Sequence, residues 1–258
     1  FGSIGLLGAF NFSGETVWTQ EIDVYNTLLE MGTAASPILH DDRLYIVNDN
    51  TTESFVAAYD KATGEELWRA DRDERGQNWA TPFVWENDLR TELVTAGTQG
   101  VRSYDLGGEL LWELKLPRTP STSPAVSEDQ IFYGSHDGSI FAFDLHRIRE
   151  LYLKNELTKW GFLARQWRYK TGKQITTPPI VTDRVVNFAS LDNSLYSITA
   201  GSPRLQWQSE TDSPVSAPIT YQAGFLYIAC EDFNLYCFNA ENGGSRWQPF
   251  PSGFPIRR

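Results

Sequence analysis

The stretch Ala58-Tyr59-Asp60-Lys61-Ala62-Thr63-Gly64-Glu65-Glu66-Leu67-Trp68 reads as a short strand, a tight turn and a second strand closing on tryptophan, and it recurs along the chain. Further copies occupy residues 8–18, 102–112, 142–167 with an insertion, 197–207 and 237–247. The closing tryptophans are Trp18, Trp68, Trp112, Trp167, Trp207 and Trp247, spaced by 50, 44, 55, 40 and 40 residues. A period near 40 residues marks a repeat architecture, in which no unit buries its apolar face alone and neighbours must stack. Function therefore has to be read from an array of similar units.

Each complete unit holds four apolar or β-branched runs separated by turns. In the first these are residues 34–39, 44–47, 55–59 and 66–68, and in the second 79–84, 92–96, 101–104 and 110–112. The third has 121–126, 131–133 and 140–143, with Asp137-Gly138 as a hairpin turn. The fourth has 175–181, 185–189, 195–198 and 205–207, and the fifth 215–220, 225–229, 235–238 and Arg246-Trp247. Four short strands with turns about every ten residues predict antiparallel sheets. Residues 1–22 supply only the second half of a unit, and residues 251–258 read as the opening of another first strand.

The first run of each unit carries a proline, in Ser36-Pro37, Thr81-Pro82, Ser123-Pro124, Thr177-Pro178 and Ala217-Pro218, with Phe254-Pro255 in the tail. Proline cannot donate to a ladder, so the first strand is predicted at an edge. A proline-marked edge and a tryptophan-closed last strand fit a β-propeller, with first strands lining a central channel and fourth strands on the rim. An indole covers roughly 150–250 Å², worth about 4–6 kcal/mol at about 25 cal/mol/Å² if buried, enough to explain one per blade between neighbours.

The pattern small-x-Asp-x-x-Thr-Gly-x-x-x-Trp, best kept in residues 58–68, resembles the tryptophan-docking repeat of the quinoprotein-like, or pyrroloquinoline quinone (PQQ) repeat, β-propellers. That family includes quinone-dependent alcohol dehydrogenases, the lipoprotein subunit of the outer-membrane β-barrel assembly machine, and sensor domains of bacterial kinases. The resemblance implies an all-β propeller of four-stranded antiparallel blades in which the six tryptophans dock on neighbouring blades. Asp60, Asp105 and Asp144 keep the motif acid, whereas Asn11, Thr199 and Asn239 replace it and Gly201 and Gly243 sit in reshaped turns, changes expected to loosen those turns. Five complete blades and partial blades at both ends are expected to form one domain, at about 1–22, 24–70, 76–114, 119–170, 174–208, 213–248 and 251–258. Family members often have eight blades, so the chain reads as a fragment of a larger ring rather than a ring whose ends combine.

Residues 145–163 replace the expected short turn of the third unit. Ile148, Leu151 and Tyr152, then Asn155, Glu156 and Lys159, alternate at near-helical spacing and predict a rim helix of two to three turns. Residues 144–173 hold eight basic and three acidic side chains, Arg147, Arg149, Lys154 and Lys159 among them. Such a patch is either a solvated helix capping an apolar edge or an interaction surface.

The net charge of −11 is uneven, at −12 in residues 1–117 and +1 in 118–258. An acidic body without a basic stripe interleaved with aromatics argues against nucleic acid. No apolar run reaches the roughly 18–20 residues of a membrane span. No signal peptide is visible at the start, and the chain begins inside a repeat, so a targeting segment can precede it. Cys230 and Cys237 flank a short turn in which Cys230 is expected opposite Leu235, an offset that predicts two free, buried thiols.

Sites of chemistry are sparse. A quinone-dependent dehydrogenase holds its cofactor between a vicinal disulfide and a tryptophan, with calcium and an aspartate base, and no adjacent cysteines occur here. Trp79 is the one candidate cofactor contact, although an inward tryptophan is more often packing. Residues 48–53 are rich in oxygen ligands but lack the spacing of a calcium loop and read as a solvated turn. His40, His136 and His146 lie in turns far apart and predict no metal site. No phosphate loop, nucleophile elbow or zinc-protease motif is present.

These readings converge on a non-catalytic scaffold that binds a protein or peptide through its loops, residues 48–53 and 72–77 and the basic insertion being the surfaces to test. The resemblance is to the assembly-lipoprotein branch and implies a bacterial envelope or secreted location, with no resident cofactor. The alternative is part of a PQQ- and calcium-dependent dehydrogenase whose catalytic residues lie outside this chain.

Overall fold

The computed structural model describes residues 5–22, 35–74, 80–116, 118, 120–127 and 130–252, the side chain of Trp160 excepted. The chain divides into two compact units, residues 1–116 and 117–258.

The first unit opens with a two-stranded sheet, β1 (Leu6–Phe10) and β2 (Thr16–Glu21). Blade 1 follows as β3 (Ile38–His40), β4 (Arg43–Asn48), β5 (Ser54–Asp60) and β6 (Glu66–Arg72), and blade 2 as β7 (Phe83–Glu86), β8 (Thr91–Ala96), β9 (Gly100–Tyr104) and β10 (Leu110–Lys115). The second unit holds three blades. Blade 3 is β11 (Ala125–Val126), β12 (Gln130–Gly134), β13 (Ser139–Asp144) and β14 (Arg165–Lys170), with the helices α1 (Leu145–Leu153) and α2 (Leu157–Trp160) and a 3-10 turn (Gly161–Ala164) between its last two strands. Blade 4 is β15 (Ile180–Thr182), β16 (Val185–Ser190), β17 (Ser194–Thr199) and β18 (Leu205–Glu210), and blade 5 is β19 (Thr220–Gln222), β20 (Phe225–Ala229), β21 (Asn234–Asn239) and β22 (Phe250–Pro251). Every blade is an antiparallel meander in chain order, with its first strand at one edge.

Side chains alternate across these strands, and in the two middle strands of blades 1 to 4 both faces are buried. Leu44 and Ile46 pack with Leu7, Ile22 and Phe55 against the β1–β2 pair, whereas Tyr45 and Val47 pack with Leu93 and Tyr104 of blade 2. In the second unit Phe132, Ile140 and Trp167 of blade 3 share a core with Phe188 and Ile198 of blade 4, and Leu195, Ala189 and Trp207 share one with Leu226 and Ile228 of blade 5. Within each unit the core is thus a series of apolar layers between successive sheets.

The edge strands begin later than the apolar runs suggest, directly after or one residue beyond their prolines. Upstream, single bridges such as Ile175 to Ser190 and Val215 to Cys230 continue the pairing. Where a proline interrupts the ladder a hydroxyl substitutes: Thr177 Oγ1 accepts the Ala189 N–H at 2.9 Å, and Thr122 Oγ1 that of Gly134 at 3.1 Å.

A bulge recurs in the last strand pair. Ala58 faces Trp68 and Tyr59 faces Glu66, so Leu67 is left unpaired, and Val17, Leu111, Gln166 and Gln206 are passed over in the same way. The extra residue bends the strand and aims the following indole. It also explains why Leu67 and Val17 are exposed although they lie in strands.

Three expectations need correction. The last strand of blade 5 is Phe250–Pro251, pairing with Leu235 and Asn234, rather than Arg246-Trp247 or the opening of a new unit. Ser245 still bridges Phe238 and the Arg246 N–H still donates to the Cys237 carbonyl at 2.8 Å, but Pro249 has no N–H to give a ladder, and beyond it the register is shifted by one residue, Phe250 standing opposite Leu235. Leu235 pairs with Ala229 rather than Cys230, although both cysteines are free and buried. Asparagine does not loosen the motif turn: Asn239 Oδ1 accepts the N–H groups of Glu241 and Asn242 at 2.8 and 3.2 Å, as Asp60 does those of Ala62 and Thr63 at 2.8 and 2.9 Å. An amide oxygen and a carboxylate serve this turn equally. The remaining tail, 253–258, lies outside the described residues.

Candidate interaction site

The motif acid of blade 3 has a different task. Asp144 accepts the Arg147 N–H at 2.9 Å and becomes the N-cap of α1, so the residue that elsewhere closes a turn here starts a helix. Leu145, Ile148 and Leu151 form the buried face of α1, and Leu157 and Ala164 anchor the segment that returns to β14. Helical spacing of these apolar residues made the insertion legible; its break at Asn155, where φ is +56°, was not.

The outward side of the insertion is mixed. Leu153, Phe162 and Leu163 are 69, 58 and 49% exposed, and Lys154, Lys159 and Arg165 are exposed with them. Glu150 pairs with both Arg147 and Lys154, and those hydrogen bonds hold its carboxyl below the usual carboxylate range. Arg147 and Arg149 are half-buried. The four basic residues expected as an interaction surface therefore fall within one insertion, Arg147 and Arg149 on α1, Lys154 at its C-terminal cap and Lys159 on α2, together with three exposed apolar side chains that the sequence did not single out.

Four tryptophans reach the next blade in chain order. Their indole N–H groups donate to backbone carbonyls one residue after the motif acid or its replacement: Trp18 to Lys61 at 3.0 Å, Trp68 to Leu106 at 2.9 Å, Trp167 to Ala200 at 2.7 Å and Trp207 to Ala240 at 3.1 Å. Trp112 instead donates to Glu92 Oε2 of its own blade at 2.9 Å, and Trp247, 40% exposed, lies 5.8 Å from the Tyr227 ring.

The other candidates behave differently from their sequence readings. Trp79 lies outside the described residues, as do residues 75–77 of the neighbouring loop. Residues 48–53 are not a solvated turn throughout, because Asn48, Asp49 and Asn50 are buried. Asn50 binds the backbone of its own loop through Thr52, Glu53 and the Glu53 carbonyl, leaving only 51–53 in solvent. His136 Nδ1 meets the Gln174 amide at 2.7 Å and His40 lies 3.5 Å from Asp41. Among the described residues no three His, Cys, Asp or Glu side chains gather to hold a metal ion. No described helix is long and apolar enough to cross a membrane.

What sequence reading missed is a buried charge network in the first unit. Asp49 grips Arg72, whose guanidinium also reaches Thr95 and Tyr104 of blade 2. Glu74 pairs with Arg102 and accepts the Thr98 N–H and hydroxyl at 3.1 and 2.7 Å. The loop expected as a surface at residues 72–77 thus opens on two buried side chains, Arg72 and Glu74, and Arg102 is buried within β9; arginine is ordinarily a surface residue, so nothing local signalled their burial.

The chain matches the family model described as "Outer membrane protein assembly factor BamB" over residues 3–151 and 163–252, the gap falling on the insertion. No curated protein matches it. Among solved structures it is similar to BamB from Moraxella catarrhalis, at 18% identity and a TM-score of 0.67, covering 98% of this chain and 69% of that one. It is also similar to Sqt1 of Saccharomyces cerevisiae, at 11% identity and a TM-score of 0.73, covering 98 and 70%, and to the computationally designed Ika8 protein, at 11% and 0.66, covering 95 and 68%. These likenesses carry the fold, a β-propeller of four-stranded blades. With nearly the whole chain matched from its first tryptophan repeat to its last, the protein belongs to the BamB family of PQQ-repeat β-propellers.

Proposed function

We propose that the chain is a non-catalytic protein-interaction scaffold of the bacterial envelope, its blades stapled by docked tryptophans and its partner held on the insertion of blade 3. The observation that carries this reading is the exposed trio Leu153, Phe162 and Leu163 set among Lys154, Lys159 and Arg165. Apolar side chains exposed together on a soluble surface commonly mark an interaction site, and the adjoining cations select an acidic partner. Family membership supports the envelope location and the absence of chemistry, and residues 152–162 of the insertion are the stretch that the family match leaves out.

The occupant that fits is a segment alternating carboxylates with leucine or phenylalanine. A labelled peptide of that pattern, followed by fluorescence anisotropy, should bind with a strength that falls as salt rises. Phe162→Asp together with Leu163→Asp should abolish that binding while leaving the thermal midpoint unchanged. Equal binding by this variant would overturn the assignment of the surface. A saturable rise in midpoint on adding PQQ with calcium would overturn the non-catalytic reading, because a ligand bound only by the folded state must stabilise it.

A further inference from the structure

The repeat supplies its own controls for the last strand of each blade. In β14, Arg165, Arg168 and Lys170 stand opposite Phe143, Phe141 and Ser139, alternate residues of β13, and so share one face of the strand. The same places around the tryptophan hold Glu66, Arg69 and Asp71 in blade 1, Leu110, Glu113 and Lys115 in blade 2, and Leu205, Gln208 and Glu210 in blade 4. Of these four blades, blade 3 alone fills all three with cations.

Elsewhere the charges at these places find answers. Glu66 pairs with Arg69 at 2.7 Å in blade 1, and Glu113 pairs with Arg102 at 2.7 Å in blade 2. Blade 3 cannot neutralise its row in that way. Arg165, Arg168 and Lys170 are all exposed, and among the described residues the carboxylate paired with them is Asp137, 3.2 Å from Arg168 and shared with the exposed Arg118 at 3.5 Å. One acid thus answers four exposed cations, a surplus that a partner carrying carboxylates complements.

The backbone beside this row is open as well. β14 is an edge strand of its sheet, and the Thr171 N–H donates to the Gly138 carbonyl at 2.8 Å. Antiparallel bonds alternate, so the N–H and C=O groups of Lys170 and Arg168 point away from β13. The Ser139 carbonyl agrees with that register, since it turns from Lys170 to accept the Ser135 N–H at 2.9 Å. Such an edge can take a further strand, and cations along it repel a second copy of themselves while admitting carboxylates. Phe162 and Leu163 lie in the 3-10 turn that runs directly into Arg165.

We propose that β14 receives the acidic partner segment as a fifth strand of blade 3, an inference that rests on the assignment of the insertion as the partner's site. Carboxylates at alternate positions of the segment face Arg165, Arg168 and Lys170, and the apolar residues between them extend the opposite face, that of Trp167 and Tyr169.

Two labelled peptides of one composition separate strand pairing from bulk charge, the first alternating glutamate with leucine, the second holding them in separate blocks. In fluorescence anisotropy with the whole chain, the alternating peptide should bind more tightly. Arg165→Leu, Arg168→Gln and Lys170→Glu together, the residues that blade 4 carries at these places, should weaken it about tenfold with the thermal midpoint little changed. Hydrogen exchange at the Arg168 and Lys170 amides, followed by NMR, should slow when the peptide is bound. Equal binding of the two peptides, unchanged exchange at both amides, or full binding by the triple variant overturns the proposal. Loss of binding with Phe162→Asp and Leu163→Asp but not with the triple variant leaves the insertion as the site and removes the strand. The reverse result keeps the strand and overturns the insertion, and binding of neither peptide overturns both.

Discussion

Arg72 holds both carboxylate oxygens of Asp49, Nε at 2.7 Å and Nη2 at 3.1 Å, and neither side chain retains any exposed surface. The guanidinium continues to Thr95 and Tyr104, so one ion pair ties the end of blade 1 to two strands of blade 2. Burial disfavours the charged guanidinium, but the Asp49 carboxylate outweighs it and holds the Arg72 pKa above the ordinary arginine value.

Removing one partner leaves the other charged and dry. Asp49→Ala is expected to cost about 3–5 kcal/mol, read from the urea midpoint of the first unit's transition. Replacing both, as Asp49→Leu with Arg72→Met, should recover most of that loss. If the double variant is no more stable than the single one, the pair contributes more than mutual neutralisation.

Gly108 lies at φ +92°, and a Cβ there would fall 2.6 Å from the Trp68 ring; Gly64 stands in the same relation to Trp18, at φ +76° and 2.5 Å. Gly108→Ala therefore combines a strained backbone with a displaced indole, and should cost upwards of about 1 kcal/mol by denaturant titration. Gly201 has nothing within 4 Å of such a Cβ, and Gly201→Ala should be near neutral.

The two kinds of indole contact should separate on mutation to phenylalanine. Trp207→Phe removes one donor from the Ala240 carbonyl and should cost about 1 kcal/mol beyond the change in packing. Trp112→Phe removes a donor from Glu92, whose side chain is wholly buried, so about 1–3 kcal/mol is expected. Thermal midpoints of Trp112→Phe with and without Glu92→Gln isolate the carboxylate's share.

Burial alone would raise the Asp137 carboxyl, but hydrogen bonds from Ser135 and Ser139 outweigh it and hold the pKa down to about 2. The folded value lies below that of an unfolded aspartate, roughly 3.9. Its contribution, at most about 2 kcal/mol, is complete above that value and is lost as the pH falls towards about 2. Asp137→Asn should flatten the stability profile in that acidic window and leave its shape at neutral pH alone.

Burial pushes the Cys230 thiol up to about 12. A thiol reagent at neutral pH should leave Cys230 unmodified in the native protein and react once denaturant unfolds it, because the thiolate is the nucleophile. Rapid native labelling, located by mass spectrometry, would contradict the closed packing around β20.

Much of this architecture is written in local pattern. The strand runs, the Asp137-Gly138 turn, the edge prolines and the apolar spacing in α1 all depend on neighbours a few residues apart, where periodicity and backbone restriction act directly. The interaction candidate was half legible: Arg147, Arg149, Lys154 and Lys159 form a visible charge excess, but the exposure of Leu153, Phe162 and Leu163 depends on how the segment turns after Asn155. The fifth blade shows the opposite failure, because Trp247 completes the repeat in sequence while Gln248 and Pro249 shift the final pairing to Phe250.

The sequence by itself determined that this chain is a repeat of four-stranded antiparallel blades with a helical insertion in the third, because period and turn chemistry are properties of contiguous residues. Only the tertiary structure decided which polar groups go inside. Arg72 with Asp49, Trp112 with Glu92, and the unpaired Asn187 Oδ1 and Ser197 Oγ of blade 4 all depend on what the adjacent strand or blade brings within hydrogen-bond reach. Burial makes those partners decisive: a charge or hydroxyl removed from water is stabilised or penalised by the atoms that face it, and those come from distant parts of the chain.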